Sequence, residues 1–126
     1  MPKLVSNRTF RYELPFPPSV NTYWRSMTRG RRQIVYVSAE GKKFRKQVMA
    51  TVTRKANSTS RLSVLVELLM PDERIRDIDN YQKAMLDALK HARVYQDDCL
   101  IDDLHVKRIG LDPMRIGKCT ITIAEL

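Results

Sequence analysis

Residues 62–70, Leu-Ser-Val-Leu-Val-Glu-Leu-Leu-Met, decide the fold because they form a nearly continuous apolar run that stops at Pro71. A short run of this kind predicts a central strand that is covered on much of both faces. Proline ends the strand because it has no amide hydrogen to donate to the ladder. Side chains alternate along a strand, so one face is predicted to carry Val64, Val66, Leu68 and Met70, and the other Leu65 and Leu69.

Alternating and apolar segments on both sides of this run predict the other strands. Thr9–Leu14 alternates apolar and polar residues with the period of a strand. The prolines of Pro15-Phe16-Pro17-Pro18 then stop it. Further strands are predicted at Gln33–Val37, Leu104–Leu111 and Cys119–Ala124.

Two amphipathic helices are predicted between the strands. The first runs from an N-cap at Ser38 to about Asn57, with Phe44, Val48 and Val52 spaced by four residues on one face. The second begins near Asp79, where Asp79 and Gln82 match a capping box. Its apolar stripe consists of Ile78, Tyr81, Met85, Ala88, Leu89 and Ala92.

The resulting order, β-(β)-α-β-α-β-β, predicts an α+β fold. We expect a two-layer sandwich in which a small mixed β-sheet carries two main helices on one face. The length fits a single domain, residues 1–126. The first residues lack the apolar core of a signal peptide and no run reaches membrane length, so we expect a cytoplasmic protein without a membrane partner.

The charge of the chain is high and unevenly distributed. The formal net charge is +9. Residues 1–61 carry a net charge of +12 and residues 62–126 a net charge of −3. A basic region of this kind is typical of a protein that binds nucleic acid, because neutralising phosphates releases counterions. The alternative is a basic protein that associates with nucleic acid only incidentally.

The basic charge is dense in the segment from Ser19 to Arg32, which is predicted to be a loop. Tyr23 and Trp24 lie among its arginines. Basic and aromatic residues together suit phosphate contact and base stacking, although the same segment could be a solvated loop whose aromatics cover the core. The candidate DNA contacts here are Arg25, Arg29, Arg31 and Arg32.

Acidic residues are concentrated at two places in this basic chain. Asp77-Ile78-Asp79-Asn80 comes first, with Lys83 four residues after Asp79, and Asp97-Asp98 follows the second helix. Crowded carboxylates repel one another unless a cation lies between them, and Mg²⁺ binds through one or two carboxylates plus substrate phosphates. If the chain returns antiparallel after the helix, Asp98 could join Asp77 and Asp79 around one ion. The simpler alternative is an N-cap acid followed by ordinary ion pairs along one helix row, Asp79, Lys83 and Asp87.

These residues also belong to a longer ordered set of motifs. The set begins with Pro15-Phe16-Pro17-Pro18-Ser19-Val20-Asn21 and continues with Val37-Ser38-Ala39-Glu40-Gly41 and Met70-Pro71-Asp72. Its most specific block is Arg76-Asp77-Ile78-Asp79-Asn80-Tyr81-Gln82-Lys83-Ala84, followed by Asp87-Ala88-Leu89 and Asp97-Asp98. In this set the chain resembles the RusA family of Holliday-junction resolvases, from about Tyr12 to Ile123.

The resemblance implies a small, homodimeric, metal-dependent endonuclease of bacteria and their prophages that resolves four-way DNA junctions near the nucleoid. It places the essential acids on Asp77, Asp79 and Asp98, as ligands for Mg²⁺ with Mn²⁺ as a substitute. It places the important lysine on Lys83 and a DNA contact on Arg76. A two-fold dimer matches a junction that has two symmetry-related strands to cut.

Two other classes remain open at the level of sequence. A non-catalytic basic DNA-binding module would bind DNA in a salt-sensitive way without metal-dependent cleavage. A nuclease of the restriction-enzyme type needs an acid followed by an acid-x-lysine triplet on the next strand. Pro71-Asp72 could begin that signature, but no such triplet follows.

Overall fold

The computed structural model describes residues 8–52 and 56–126, and the apolar run at residues 62–70 is an inner strand of its main sheet. The six strands are β1 (Thr9–Pro15), β2 (Trp24–Arg29), β3 (Arg32–Val37), β4 (Leu62–Met70), β5 (Ile101–Leu111) and β6 (Lys118–Glu125). The main sheet has the order β1-β6-β4-β5, in which β4 and β5 are parallel and the other pairs are antiparallel. The predicted α+β fold with a mixed sheet is confirmed.

Strand β4 shows why its residues decide the fold. Its buried and half-buried positions alternate along its whole length, and Val64, Val66 and Leu68 are completely buried. The other face, with Leu65 and Leu69, is half-buried. Both long helices contribute side chains to the core cluster that includes β4, among them Phe44, Val48, Met85 and Leu89. No helix in the described part of the chain is long and apolar enough to span a bilayer.

The first long helix, α2 (Ala39–Thr51), is shorter than predicted. Ser38 caps it, because its hydroxyl accepts a hydrogen bond from the Gly41 amide at 3.0 Å. The helix ends at Thr51, with Val52 as its C-cap, whereas the prediction continued to about Asn57; residues 53–55 lie outside the described residues. Asn57 has a positive φ and its amide donates to the Arg93 carbonyl. Asn57 therefore contacts the chain after the next helix and is not part of α2.

The second long helix, α3 (Gln82–His91), begins later than the capping-box pattern predicted. Asp79 is not its N-cap, because Ile78–Asn80 form a separate 3₁₀ turn that begins after the extended residue Asp77. Tyr81 then precedes α3 without a side-chain cap. The prediction of a capping box was wrong, because Asp77 and Asp79 belong to a 3₁₀ turn and its N-cap, before the α-helix begins at Gln82.

The segment from Ser19 to Arg32 is a short helix and a strand, and the prediction of a loop was wrong. The helix is α1 (Val20–Tyr23), and strand β2 follows at once and pairs with β3. A two-residue turn joins the two strands, with a positive φ at Gly30, as the first central position of a type II′ hairpin turn requires. Strand β5 also begins earlier than predicted, so Asp102 and Asp103 lie on a strand.

Candidate active site

Asp77 and Asp79 flank Ile78 in the 3₁₀ turn between β4 and α3. Ile78 is half-buried against the core, whereas both aspartates are exposed. The inward isoleucine thus holds the turn while the carboxylates on either side of it face solvent. They line an open cleft of about 670 Å³ together with Ile75, Arg76, Ile78 and Arg108. Among the described residues, no group donates a hydrogen bond to either carboxylate.

Arg76 fixes the segment that leads into this turn. Its guanidinium donates to both oxygens of Asp72, at 2.5 and 3.0 Å, and lies 6.0 Å from the centre of the Phe16 ring. The bond from Arg76 holds the pKa of Asp72 well below its usual range, with help from the Arg74 amide. Arg108 donates to the Arg76 carbonyl. Arg76 was expected to contact DNA, and the structure places it in a bidentate pair that positions the acidic turn.

Lys83 lies one helical turn after Asp79 and is exposed. Its ammonium group lies 5.6 Å from the centre of the Trp24 ring, close enough for a cation–π contact. It lines a second cleft of about 670 Å³, to which Asn21, Trp24 and Arg25 also contribute. Lys83 and Arg25 therefore supply two positive charges to one cleft at the base of the β2–β3 hairpin.

Asp87, the last member of the predicted row along α3, is part of an internal network. Its Oδ2 accepts from the Tyr23 hydroxyl at 2.5 Å and from Arg45 at 2.8 Å. Burial, and then the bond to Asp87, raise the pKa of Tyr23 above its usual range. Asp87 thus ties α3 to α1 and α2. Local spacing does not reveal this network, because Tyr23 and Arg45 lie 64 and 42 residues from Asp87 in sequence.

The second acidic pair begins another 3₁₀ turn, Asp98–Leu100. Asp97 caps this turn by accepting from the Cys99 amide at 3.2 Å, and it lies 3.6 Å from the Lys90 ammonium. Asp98 is half-buried, and its Oδ1 has no hydrogen-bond partner in the described part of the chain. Burial raises the pKa of Asp98.

The structure does not bring all the predicted ligands together within one subunit. Asp98 lies in the 3₁₀ turn that follows α3, and it does not line the cleft of Asp77 and Asp79. Within residues 8–52 and 56–126, no three His, Cys, Asp or Glu side chains form a group that could hold a metal ion. Asp77 and Asp79 therefore share one turn and one cleft, and Asp98 lies outside that cleft.

The remaining candidate DNA contacts lie on the hairpin formed by β2 and β3. Arg25, Arg29, Arg31 and Arg32 are all exposed. The two strands and the turn between them, residues 24–37, contain these four arginines and no acidic residue. The hairpin is thus basic throughout, and Lys83 lies beside its base.

Comparison with known proteins identifies relatives along nearly the whole chain. The family model described as endodeoxyribonuclease RusA matches residues 15–123. The crossover junction endodeoxyribonuclease rusA of Enterobacteria phage HK97 is 41% identical over 120 residues, which cover 93% of this chain and 95% of the relative. The enzymes of the same name from Escherichia coli strain K12 and Enterobacteria phage 82 are 38% and 35% identical, over 94% of this chain and 96% of each relative.

Proposed function

The chain belongs to the RusA family of crossover junction endodeoxyribonucleases, and from this premise we propose that it resolves four-way (Holliday) DNA junctions by paired, Mg²⁺-dependent hydrolysis of phosphodiesters. One structural observation supports the catalytic part. Asp77 and Asp79 project from a fixed turn into an open cleft, and no donor in the described chain satisfies them. We expect the protein to act on chromosomal or phage DNA at the nucleoid in the bacterial cytoplasm.

The donor set fits a hard divalent cation. Asp77 and Asp79 are exposed carboxylates, which are acceptor-only oxygen ligands of the kind that Mg²⁺ and Mn²⁺ prefer. Asp98 offers a third carboxylate with an unpartnered buried oxygen, and an unsatisfied polar group of this kind costs free energy until a donor or cation reaches it. When bound, the ion supplies an activated water and neutralises charge on the scissile phosphate.

Different side chains of this chain would bind the ion, position the acidic turn and stabilise the charge of the transition state. Asp77 and Asp79 hold the ion, while Arg76 and Asp72 keep the acidic turn in place. Lys83 presents a fixed positive charge toward the scissile phosphate or the leaving oxygen, which is preorganised electrostatic stabilisation. The base of the hairpin supports this lysine through Trp24.

We propose that the active assembly is a homodimer and that Asp98 joins Asp77 and Asp79 from the second subunit. Within one subunit Asp98 does not line the cleft of Asp77 and Asp79, and no three such side chains group together in the described residues. A two-fold dimer would build two such shared sites, one for each of the two symmetry-related strands of a junction.

The decisive experiment compares a synthetic mobile four-way junction with a linear duplex of the same length, with and without Mg²⁺. We expect paired incisions in the junction only when Mg²⁺ is present. Salt-sensitive binding of both DNAs without cleavage in either Mg²⁺ or Mn²⁺ would identify a non-catalytic DNA-binding module and reject the proposed function.

A further inference from the structure

The hairpin arm, Trp24–Val37, consists of β2, β3 and the turn between them, and it packs mainly on itself and on α1. Each strand has six residues. At about 3.3 Å per residue the arm is roughly 20 Å long. An isolated two-stranded hairpin is only marginally stable in water, so its base must hold it in place.

The base of the arm is tightly anchored. Tyr23, immediately before it, is completely buried. The amide of Ser38, immediately after it, donates to the Tyr23 carbonyl at 2.8 Å, and the Ser38 hydroxyl donates to the Thr22 carbonyl at 2.5 Å. A Cβ atom at Gly41 would lie 2.6 Å from Val37 Cγ1, so the helix backbone touches the base directly. The direction of the arm is therefore set by the body of the protein.

The two faces of the arm differ in character. Directly paired residues share a face of an antiparallel ribbon. One face begins with the Trp24–Val37 pair, which packs against the core, and continues with Ser26 opposite Val35. The other, here called the outer face, carries Arg25 opposite Tyr36, Met27 opposite Ile34, and Arg29 opposite Arg32.

The outer face combines exposed apolar side chains with unpaired positive charge. Tyr36 is 44% exposed and Met27 is 47% exposed. In the described part of the chain, Arg25, Arg29 and Arg32 form no ion pair. An aromatic and apolar centre bordered by guanidinium groups complements bases bordered by phosphates. Each base pair in the interior of a linear duplex is stacked between neighbours, whereas at an open branch point the last base pairs of the arms present an uncovered face.

We propose that the outer face of the hairpin arm contacts the branch point of the junction. Tyr36 lies against an uncovered base face, and Arg25, Arg29 and Arg32 bind the phosphates around it. This inference rests on the proposed function, since it assigns one surface to recognition of the same branched substrate. Trp24 at the base of the arm touches Lys83, so the arm begins beside the proposed catalytic lysine. The arm thereby selects branched DNA over linear duplex before any bond is cut.

The test is a binding measurement in an Asp77→Asn background, which separates recognition from cleavage. Loss of one base–aromatic contact costs about 1–3 kcal/mol, so Tyr36→Ala is expected to lower junction affinity by roughly 5- to 150-fold. Affinity for a linear duplex that is closed by a hairpin loop at each end, and so offers no uncovered base face, is expected to stay unchanged. Tyr36→Phe keeps the ring and should bind the junction like the parent. Met114→Ala, at an exposed apolar position in the turn between β5 and β6, is the matched control.

A fluorescent adenine analogue placed at the branch point provides the direct readout. Its emission should fall when the parent protein binds, through stacking, and should not fall with Tyr36→Ala. Equal losses of junction and duplex affinity, no loss on either DNA, or an equal loss with Met114→Ala would each overturn the inference. A change of oligomeric state in Tyr36→Ala would also overturn it, because the outer face would then be a protein contact. Failure of the wild-type protein to cut junctions would reject the proposed function and leave this binding result standing.

Discussion

At the scale of single residues, the two aspartates of the 3₁₀ turn carry the most testable chemistry. Asp77→Asn and Asp79→Asn each keep the shape of the side chain and lose the charge that a hard cation requires. We expect each variant to lose junction cleavage and to retain junction binding. Gel assays of cleavage and of binding on the same junction measure the two effects. A variant that cuts within a few-fold of the wild-type rate would remove that residue from the site.

Lys83 makes a different contribution, because it offers charge to the substrate instead of holding an ion. Lys83→Ala should slow cleavage by on the order of 10²–10³, the usual effect of removing one charge-stabilising group from an active site. Its effect on affinity should be small, since the chain has 23 basic residues. Single-turnover cleavage rates and binding constants, measured on one junction, separate the effect on catalysis from the effect on affinity. Equal losses in rate and affinity would make Lys83 an ordinary phosphate contact.

At the scale of elements, the fit between α2 and the base of the hairpin depends on Gly41. A Cβ atom at this position would lie 2.6 Å from Val37 Cγ1 and 2.7 Å from the Tyr23 carbonyl oxygen. Gly41→Ala should therefore reduce the free energy of unfolding by about 1–3 kcal/mol, although alanine alone favours a helix by about 1 kcal/mol over glycine. Urea denaturation measures this, with the exposed Gln47→Ala in the same helix as control. A more stable Gly41→Ala would show that the base has room to move.

A second tie between elements joins the two ends of the described chain. The Glu125 carboxylate accepts from Arg8 at 2.6 Å and from Ser58 at 2.5 Å. These bonds, that from Arg8 first, lower the pKa of Glu125 to about 2. A lowered carboxyl pKa stabilises the fold above the unfolded pKa, and this stabilisation disappears as the pH falls toward the folded pKa.

Glu125→Gln should therefore be less stable than the wild type at pH 7, by about 1–3 kcal/mol for hydrogen bonds to a charged group. The difference should shrink as the pH falls from about 4.5 toward 2. Urea unfolding over this range tests the dependence. Glu13→Gln, at an exposed position on β1, is the control. A difference that is independent of pH would mean that the carboxylate charge contributes nothing.

At the scale of the whole molecule, a homodimer with shared sites can be distinguished from two self-sufficient subunits. We expect a dimeric mass by light scattering at micromolar concentration. We also expect a mixture of Asp77→Asn and Asp98→Asn subunits to regain cleavage, because a mixed dimer has one shared site with both native acids. If each subunit used its own Asp98, every site in the mixed dimer would lack one acid and no activity would return.

The amino-acid sequence by itself determined the elements whose pattern is local and the identity of the acidic turn. The apolar run at residues 62–70 predicted an inner strand, because the alternation of side chains is a property of neighbouring residues. The motif that contains Asp77, Asp79 and Lys83 also indicated the family, because all of its residues lie within one short segment of the sequence. The strand Trp24–Arg29 was missed because its two arginines, and the Gly30-Arg31-Arg32 that follow them, obscured its alternation. The strand forms by pairing with β3.

Only the tertiary structure decided which distant side chains meet. It removed Asp87 from the predicted row by bonding it to Tyr23 and Arg45, which lie 64 and 42 residues away in sequence. It also left Asp98 outside the cleft of Asp77 and Asp79. Such contacts depend on how helices and strands far apart in sequence pack on one core. Local spacing therefore predicts the turn that carries Asp77 and Asp79. The packing of α1, α2 and α3 instead determines that Asp87 forms the hydrogen bonds that join these three helices.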